Sequence, residues 1–278
     1  MDRHVVVALP NYSVLSDIMT IDLKSDKELR GAVMVEAERI SPFDMAEVEV
    51  DYAVLDRDEE AQKMRVLMVA AKQDIILSFV DFLNEAGMQP TIIDVDLFAL
   101  ANLFNLNYQV EKYPSCILLN IGTESTMAAF MQNGKFHSSR DINVAGINFL
   151  RELQTLPNIT IAKMHDILSG RIADDMPSED VTKSINAASK EFANAVGVGV
   201  SYFQSSDNVE KIDLILLTGG YAWIPGLCNI LELRTGAEVG VMNPFNAIQY
   251  AEEAMSGEDA GRIGTTLAVA LGLGTRTY

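Results

Sequence analysis

The sequence is poor in cysteine, in basic residues and in long apolar runs. Its 278 residues include two cysteines, Cys116 and Cys228, and neither lies in a CxxC or cysteine–histidine spacing. This pattern excludes a cysteine-based zinc site and predicts two buried thiols in a reducing compartment. The 21 basic residues are outnumbered by 39 acidic ones, for a net charge of -18. Such a surface repels nucleic-acid phosphates and anionic lipid head groups, so we expect neither as a direct partner.

The apolar runs also bear on membrane insertion and export. The longest, near 214–217 and 267–273, are much shorter than the roughly 20 residues that a membrane-spanning helix needs. Only a short apolar stretch precedes Pro10, so we expect no signal peptide. The three histidines are scattered without metal-ligand spacing, and we expect no metal site. These features predict a cytoplasmic, globular protein.

Apolar periodicity and turn residues predict an α/β chain with mixed sheets. The first third has the pattern strand, strand, helix, strand, strand, helix, strand, and its interior (about 19–92) predicts a compact α+β insertion. Ser25-Asp26-Lys27-Glu28 is predicted to cap the first of these helices, which runs to about Ile40. Asn133-Gly134, between the predicted strands 126–132 and 135–142, is a strong hairpin signal. An acidic linker over 174–180 is expected before a long helix over 181–204, and 213–217 is expected as a buried strand.

Two glycine turns are the candidate functional features. The apolar strand Cys116–Ile121 ends in Gly122-Thr123-Glu124-Ser125-Thr126, where glycine permits a sharp bend whose N–H groups can bind a phosphate. A second strand, 214–217, runs into Thr218-Gly219-Gly220-Tyr221, where the backbone can approach a flat ring or a phosphate closely. Taken alone, each turn is more typical of an ordinary hairpin or strand-to-helix connection. The pair, in this order, is more specific.

The pair of turns resembles the actin, Hsp70 and sugar-kinase superfamily, in which a second phosphate hairpin and a later adenosine loop lie across a cleft from each other. Other segments narrow the resemblance to the type IV pilus assembly proteins of the PilM family, over nearly the whole chain. These segments are Glu36–Tyr52, Ala86–Met88, Ile93–Val95, Phe98–Leu100, Ser139–Ile142, Asn243–Phe245 and Leu267–Leu273. The related cell-division protein FtsA shares the plan.

The resemblance implies an actin-like (ribonuclease H-like) two-lobed α/β fold with an α+β insertion subdomain, lacking the first phosphate hairpin of the usual fold. The first lobe would comprise 1–18, 93–141 and 255–278, with the insertion over 19–92. The second lobe would comprise 142–159 and 211–254, with a helical subdomain over 160–210.

The resemblance also implies an adenine-nucleotide site, and this chain departs from the family pattern there. The residues implied to contact the nucleotide are Asn120, Gly122, Thr123, Glu124, Ser125, Thr126, Gly219, Gly220 and Tyr221. Asn120 stands where the family usually carries the Asp that orients magnesium, and an uncharged amide attracts a divalent cation much less. One alignment places His165 and Leu168 where relatives carry a Glu and a Lys against ribose and adenine; a shift by one residue is the alternative. We therefore expect no catalytic residue, no protein-bound metal, and ATP with magnesium bound weakly or not at all.

The function implied by the resemblance is that of a cytoplasmic scaffold in a type IV pilus inner-membrane platform. It would bind the cytoplasmic tail of a PilN-like membrane protein, contact other platform proteins, remain peripheral to the membrane and be able to form homo-oligomers. Two alternatives stay open, namely an active ATPase of the superfamily and an FtsA-like division or type II secretion component. Met34, Met45, Met64 and Met68 could line an adaptable groove for the tail or fill the core, and Trp223 is expected as an anchor beside the adenosine loop.

Overall fold

The computed structural model describes residues 3–171, 178–207, 209–251, 253 and 259–276. Positions 174–177 of the expected acidic linker lie outside the described residues. The chain divides into two compact units, one comprising Met1–Phe98 with Arg276–Tyr278 and the other Ala99–Thr275.

The first unit contains two sheets. Its elements are β1 (His4–Leu9), β2 (Val14–Asp22), α1 (Asp26–Ile40), β3 (Val48–Asp58), β4 (Lys63–Lys72), α2 (Gln73–Glu85) and β5 (Gln89–Val95). β1 pairs in parallel with β5, and β4 lies between β2 and β3 in an antiparallel sheet. The three-stranded sheet therefore begins at Val14, before the expected start of the insertion at residue 19.

Helix α1 begins where the sequence predicts it. The hydroxyl and the N–H of Ser25 donate to the Glu28 carboxylate at 2.6 and 3.3 Å, which is the reciprocal half of a capping box. The side-chain hydrogen bond from Ser25 lowers the pKa of Glu28. The helix then buries one apolar face on the three-stranded sheet, and the residues of that face are Leu29, Val33 and Ala37.

Methionines form part of this core. Met64 and Met68 are 1% and 0% exposed, and Met34 and Met45 pack against the same cluster from its edge. Of the two alternatives that the sequence left open, core filling therefore holds for Met64 and Met68.

The second unit is built on one mixed sheet. Helix α3 (Asp96–Asn107) precedes it, and its further elements are β6 (Ser115–Ile121), β7 (Thr126–Gln132), β8 (Lys135–Ile142), α4 (Gly146–Gln154), α5 (Ile161–Leu168), α6 (Glu179–Asp207), β9 (Leu214–Thr218), α7 (Leu227–Thr235), β10 (Glu238–Val241) and α8 (Ala260–Leu273). The strand order is β10-β9-β6-β7-β8. β6, β7 and β8 form an antiparallel meander, whereas β9 and β10 run parallel to β6. The predicted hairpin between β7 and β8 is confirmed, with φ of 50° at Asn133 and 73° at Gly134.

This sheet corrects part of the expected division into lobes. Residues 93–141 and 211–254 were expected in different lobes, but β6 pairs with β9 from Cys116↔Leu214 to Asn120↔Thr218. Every residue of β9 is buried, so this strand needs a paired neighbour on both edges to satisfy its backbone, and it takes β6 and β10. Helix α8, expected in the first lobe, also belongs to the second unit.

Candidate functional site

The turn between β6 and β7 is a tight hairpin that helix α4 holds in place. The N–H of Gly122 donates to the carbonyl of Ser125 at 3.0 Å. The carbonyls of Gly122 and Thr123 accept the N–H groups of Gly146 and Ile147, the first residues of α4, at 2.9 and 2.7 Å. Because the first N–H groups of a helix have no partner within the helix, the hairpin and α4 satisfy each other's backbone groups.

The double-glycine loop after β9 lies directly against this hairpin. Gly219 has a φ of +88°, and a Cβ added there would lie 2.5 Å from the carbonyl oxygen of Ile121 and 2.7 Å from Oδ1 of Asn120. The N–H of Tyr221 donates to the same Ile121 carbonyl at 3.2 Å. The two turns that the sequence singles out are therefore brought into contact.

Tyr221 anchors the loop. Its side chain is buried, and a Cβ on Gly146 would lie only 2.4 Å from its ring carbon Cε2, so the ring lies against the bare backbone at the start of α4. On another side the His165 ring lies 6.5 Å away between centroids. Tyr221 thus connects the double-glycine loop to both α4 and α5.

A pocket of about 290 Å³ opens between the hairpin, this loop and α5. Its lining residues are Thr123, His165, Asp166, Ser169, Arg171, Gly220 and Tyr221. The volume is close to the lower limit for small-molecule sites, roughly 300 Å³. The lining mixes a tyrosine ring with a carboxylate, a guanidinium and hydroxyls, so the pocket can hold a flat ring and hydrogen-bond polar groups beside it.

The predicted nucleotide-contacting residues fall into two groups. Thr123, Gly220 and Tyr221 line the pocket. The others are structural parts of the turns or lie beside them. Asn120 and Gly219 lie in close contact, and Gly122 closes the hairpin onto the Ser125 carbonyl. Glu124 and Ser125 are exposed on the hairpin, and Thr126 is fully buried. Within the residues that the structure describes, no group of acidic, cysteine and histidine side chains is arranged to hold a metal ion.

Helix α5 supplies two pocket residues that the alignment through His165 and Leu168 does not include. Leu168 is 1% exposed and lies in the core, whereas Asp166 and Ser169 line the pocket beside His165. The buried face of the helix consists of Met164, Ile167 and Leu168. Asp166 and Ser169 are three residues apart, so the alternative alignment, shifted by one residue, is the one that places both positions at the pocket. The apolar spacing of the buried face is the sequence signal that could have identified them.

The described part of the chain has no helix with the length and apolar character needed to cross a bilayer.

Comparisons with known proteins identify the family. A model of the family described as type IV pilus assembly protein PilM matches residues 1–278. Among solved structures, a chain of the PilM–PilN type IV pilus biogenesis complex is 27% identical, with 98% of this chain and 78% of that chain covered and a TM-score of 0.79. The expected α/β class with mixed sheets is confirmed.

Other structures are more distantly similar. Ethanolamine utilization protein EutJ from Carboxydothermus hydrogenoformans is 17% identical, over 68% of this chain and 56% of that chain, with a TM-score of 0.47. MreB5 of Spiroplasma citri bound to ADP is 14% identical, over 73% and 64%, with a TM-score of 0.48. Because the family model matches this chain from residue 1 to residue 278, the chain belongs to the type IV pilus assembly protein PilM family.

Proposed function

We propose that this chain is a cytoplasmic scaffold of a type IV pilus inner-membrane platform and that it binds the cytoplasmic tail of a PilN-like membrane protein. The observation that carries the proposal is the likeness to a chain of the PilM–PilN complex, at 27% identity over 98% of this chain. In this role the protein reaches the membrane through its partner.

An exposed apolar groove on the first unit is the place that we propose for the tail. The groove has a volume of about 580 Å³ and is lined by Leu9, Pro10, Tyr12, Ser13, Asp74, Ile75, Ser78, Phe79 and Phe82. The Tyr12 and Phe82 side chains are 68% and 62% exposed. Large aromatic side chains exposed together are typical of protein–protein interaction sites. Asp74 at the groove and the net charge of -18 favour a tail that carries basic residues beside its apolar ones.

Calorimetric titration with a synthetic peptide tests this assignment. The peptide is the N-terminal cytoplasmic tail of a PilN-like membrane protein from the same organism. We expect Phe82→Ser to weaken binding by at least about tenfold, which is the effect of losing an aromatic anchor. Leu77→Ser is the matched control, because Leu77 lies on the same helix with 60% exposure but does not line the groove.

Each outcome has a separate meaning. If the unmodified chain does not bind the peptide, the tail-binding function is wrong. If Leu77→Ser weakens binding as much as Phe82→Ser, the function stands but the groove is misassigned. Since both side chains are largely exposed, neither variant should lower the free energy of unfolding.

We further propose that the pocket of the second unit keeps weak adenine-nucleotide binding without efficient hydrolysis. Asp166 supplies an acceptor for ribose hydroxyls, Gly220 leaves room for a flat ring, and the exposed Thr123 lies at the hairpin end. Asn120 lies beside the double-glycine loop, and its neutral amide supplies little attraction for magnesium. Phosphoryl transfer depends on positioning and on neutralising phosphate charge, so hydrolysis is expected to be slow.

Asn120→Asp tests the nucleotide proposal. We expect it to tighten binding of magnesium–ATP while leaving ATP binding in excess chelator unchanged or weaker, because the new carboxylate attracts the cation and repels bare phosphates. Calorimetry with and without magnesium measures the difference. Equal affinities for magnesium–ATP in both chains would contradict the assigned role of residue 120. Turnover by the unmodified chain at about 1 to 100 per second, as in kinases, would favour the active-ATPase alternative.

A further inference from the structure

One face of helix α8 contacts both walls of the pocket. The carbonyl of Thr265 accepts the N–H of Gly219 at 3.0 Å and the hydroxyl of Thr218 at 2.9 Å, so it holds the start of the double-glycine loop. Almost one turn earlier on α8, Arg262 donates from Nη1 to the carbonyl of Ser169 at the end of α5. The loop wall and the α5 wall are thus fastened to one helix.

Arg262 also contacts the loop wall itself. Its guanidinium lies 5.1 Å from the centroid of the Trp223 ring, and its Nε lies 3.4 Å from Oδ2 of Asp259, the N-cap of α8. The backbone passes close at Gly170, where φ is +67° and a Cβ would lie 3.0 Å from both Arg262 Nη1 and the Trp223 carbonyl. A planar guanidinium can stack on a ring and donate hydrogen bonds at its edge at the same time, which an ammonium group cannot do.

We infer that Arg262 is a positioning residue: it clamps the α5 wall of the pocket to the loop that carries Gly220 and Tyr221, and the affinity of the pocket for its ligand depends on this clamp. Arg262 does not line the pocket, so its effect passes through Ser169 and the Trp223 loop. The dependence of ligand affinity on Arg262 rests on the proposed nucleotide binding. The clamp itself, the contacts of Arg262 with Ser169 and Trp223, does not rest on it.

The clamp is tested without any ligand. Trp223 is the only tryptophan, so its emission reports the contact with Arg262 directly. We expect Arg262→Ala to shift this emission to the red and to speed hydrogen–deuterium exchange over 161–170. Arg262→Lys keeps a charged donor but loses the stacking plane, so it should shift the emission while restoring part of the protection. The matched control is Arg151→Ala, an exposed arginine in the last turn of α4.

The clamp is overturned if Arg262→Ala leaves both the emission and the exchange as in the Arg151→Ala control. Thermal melting of each variant, followed by circular dichroism, shows whether the chain is still folded. Should Arg262→Ala fail to fold, Arg262→Lys carries the test, with the same emission shift expected.

Calorimetric titration with ADP tests the ligand dependence. We expect Arg262→Ala to bind ADP roughly three- to tenfold more weakly, because the ligand must then order a wall that the clamp had held, with Arg262→Lys in between. Equal affinities overturn the dependence on the clamp. If the unmodified chain does not bind ADP, that dependence fails together with the nucleotide proposal, while the emission and exchange measurements still decide the clamp.

Discussion

Replacing Gly219 with alanine tests the contact between the two glycine turns. Gly219 has a φ of +88°, a conformation that costs an L-residue about 1–2 kcal/mol. The new Cβ would lie 2.5 Å from the carbonyl oxygen of Ile121 and 2.7 Å from Oδ1 of Asn120. The Ile121 carbonyl belongs to the buried sheet and accepts the Tyr221 N–H, so it cannot move without breaking that bond. Overpacking of this kind costs typically about 1–3 kcal/mol, and we expect a total loss of about 2–5 kcal/mol.

The neighbouring glycine is the matched control. A Cβ on Gly220 would meet nothing within 4 Å, and its φ lies outside the positive range. Gly220→Ala should therefore change the free energy of unfolding by less than about 1 kcal/mol, in the stabilising direction, because alanine restricts the unfolded chain. Because Gly220 lines the pocket, the same methyl group should weaken ADP binding. The two variants thus separate stability from ligand affinity.

Urea unfolding followed by the emission of Trp223 measures both variants. This single tryptophan lies in the second unit, so its signal follows the unit that contains the turns, whereas a global probe would mix two units. With a urea dependence of about 2 kcal/mol/M, the loss of about 2–5 kcal/mol in Gly219→Ala should lower the midpoint by about 1–2.5 M. Equal midpoints for Gly219→Ala and Gly220→Ala would refute the close approach of the loop to the hairpin.

Two further predictions concern groups outside the pocket. Asp94→Asn removes an ion pair of 2.6 Å with Nε of Arg276. Since the Asp94 side chain is 5% exposed but that of Arg276 is 38% exposed, we expect a loss of about 1–3 kcal/mol, below that of a fully buried pair. Both residues belong to the first unit, so urea unfolding is followed here by circular dichroism and not by Trp223; the exposed Asp81→Asn is the control and should have no effect. Burial raises the pKa of the Cys116 thiol to about 12, so in a Cys228→Ser background this thiol should not react with Ellman's reagent at pH 8 until the chain unfolds; rapid labelling of the native chain would contradict its burial. The folded chain holds the Cys116 proton more tightly than the unfolded chain does. The contribution of this thiol to the free energy of unfolding is therefore complete below the ordinary thiol pKa of about 8.5 and falls as the pH rises toward 12.

Local signals in the sequence predicted the elements well, but not their assembly. The capping residues Ser25 and Glu28 and the Asn133-Gly134 turn act within a few residues, and both appear in the structure. The pairing of β6 with β9 joins segments about a hundred residues apart. Both strands are almost wholly apolar, so their sequences permit many partners and do not specify one. This is why the strands of one sheet were assigned to different lobes.

The pocket shows the same division between local and distant information. The glycine turns could be identified because a left-handed or crowded backbone position requires glycine. The resemblance fixes only a spacing of three residues on α5, and two alignments satisfy it. The apolar face of the helix decides between them, because it turns Leu168 into the core. That face leaves His165, Asp166 and Ser169 at the pocket.

The corrected assignment separates the two ends of the proposed nucleotide site. At the α5 end, Asp166 and Ser169 keep groups that can hydrogen-bond a ribose. At the hairpin end, the resemblance implies that Asn120 stands in place of a carboxylate, and its neutral amide attracts magnesium little. A chain whose site is altered only at the hairpin end should bind a nucleoside, and magnesium should add little to its affinity for ATP. Its affinities for ADP and for magnesium–ATP should then be similar, as suits the scaffold function that we propose.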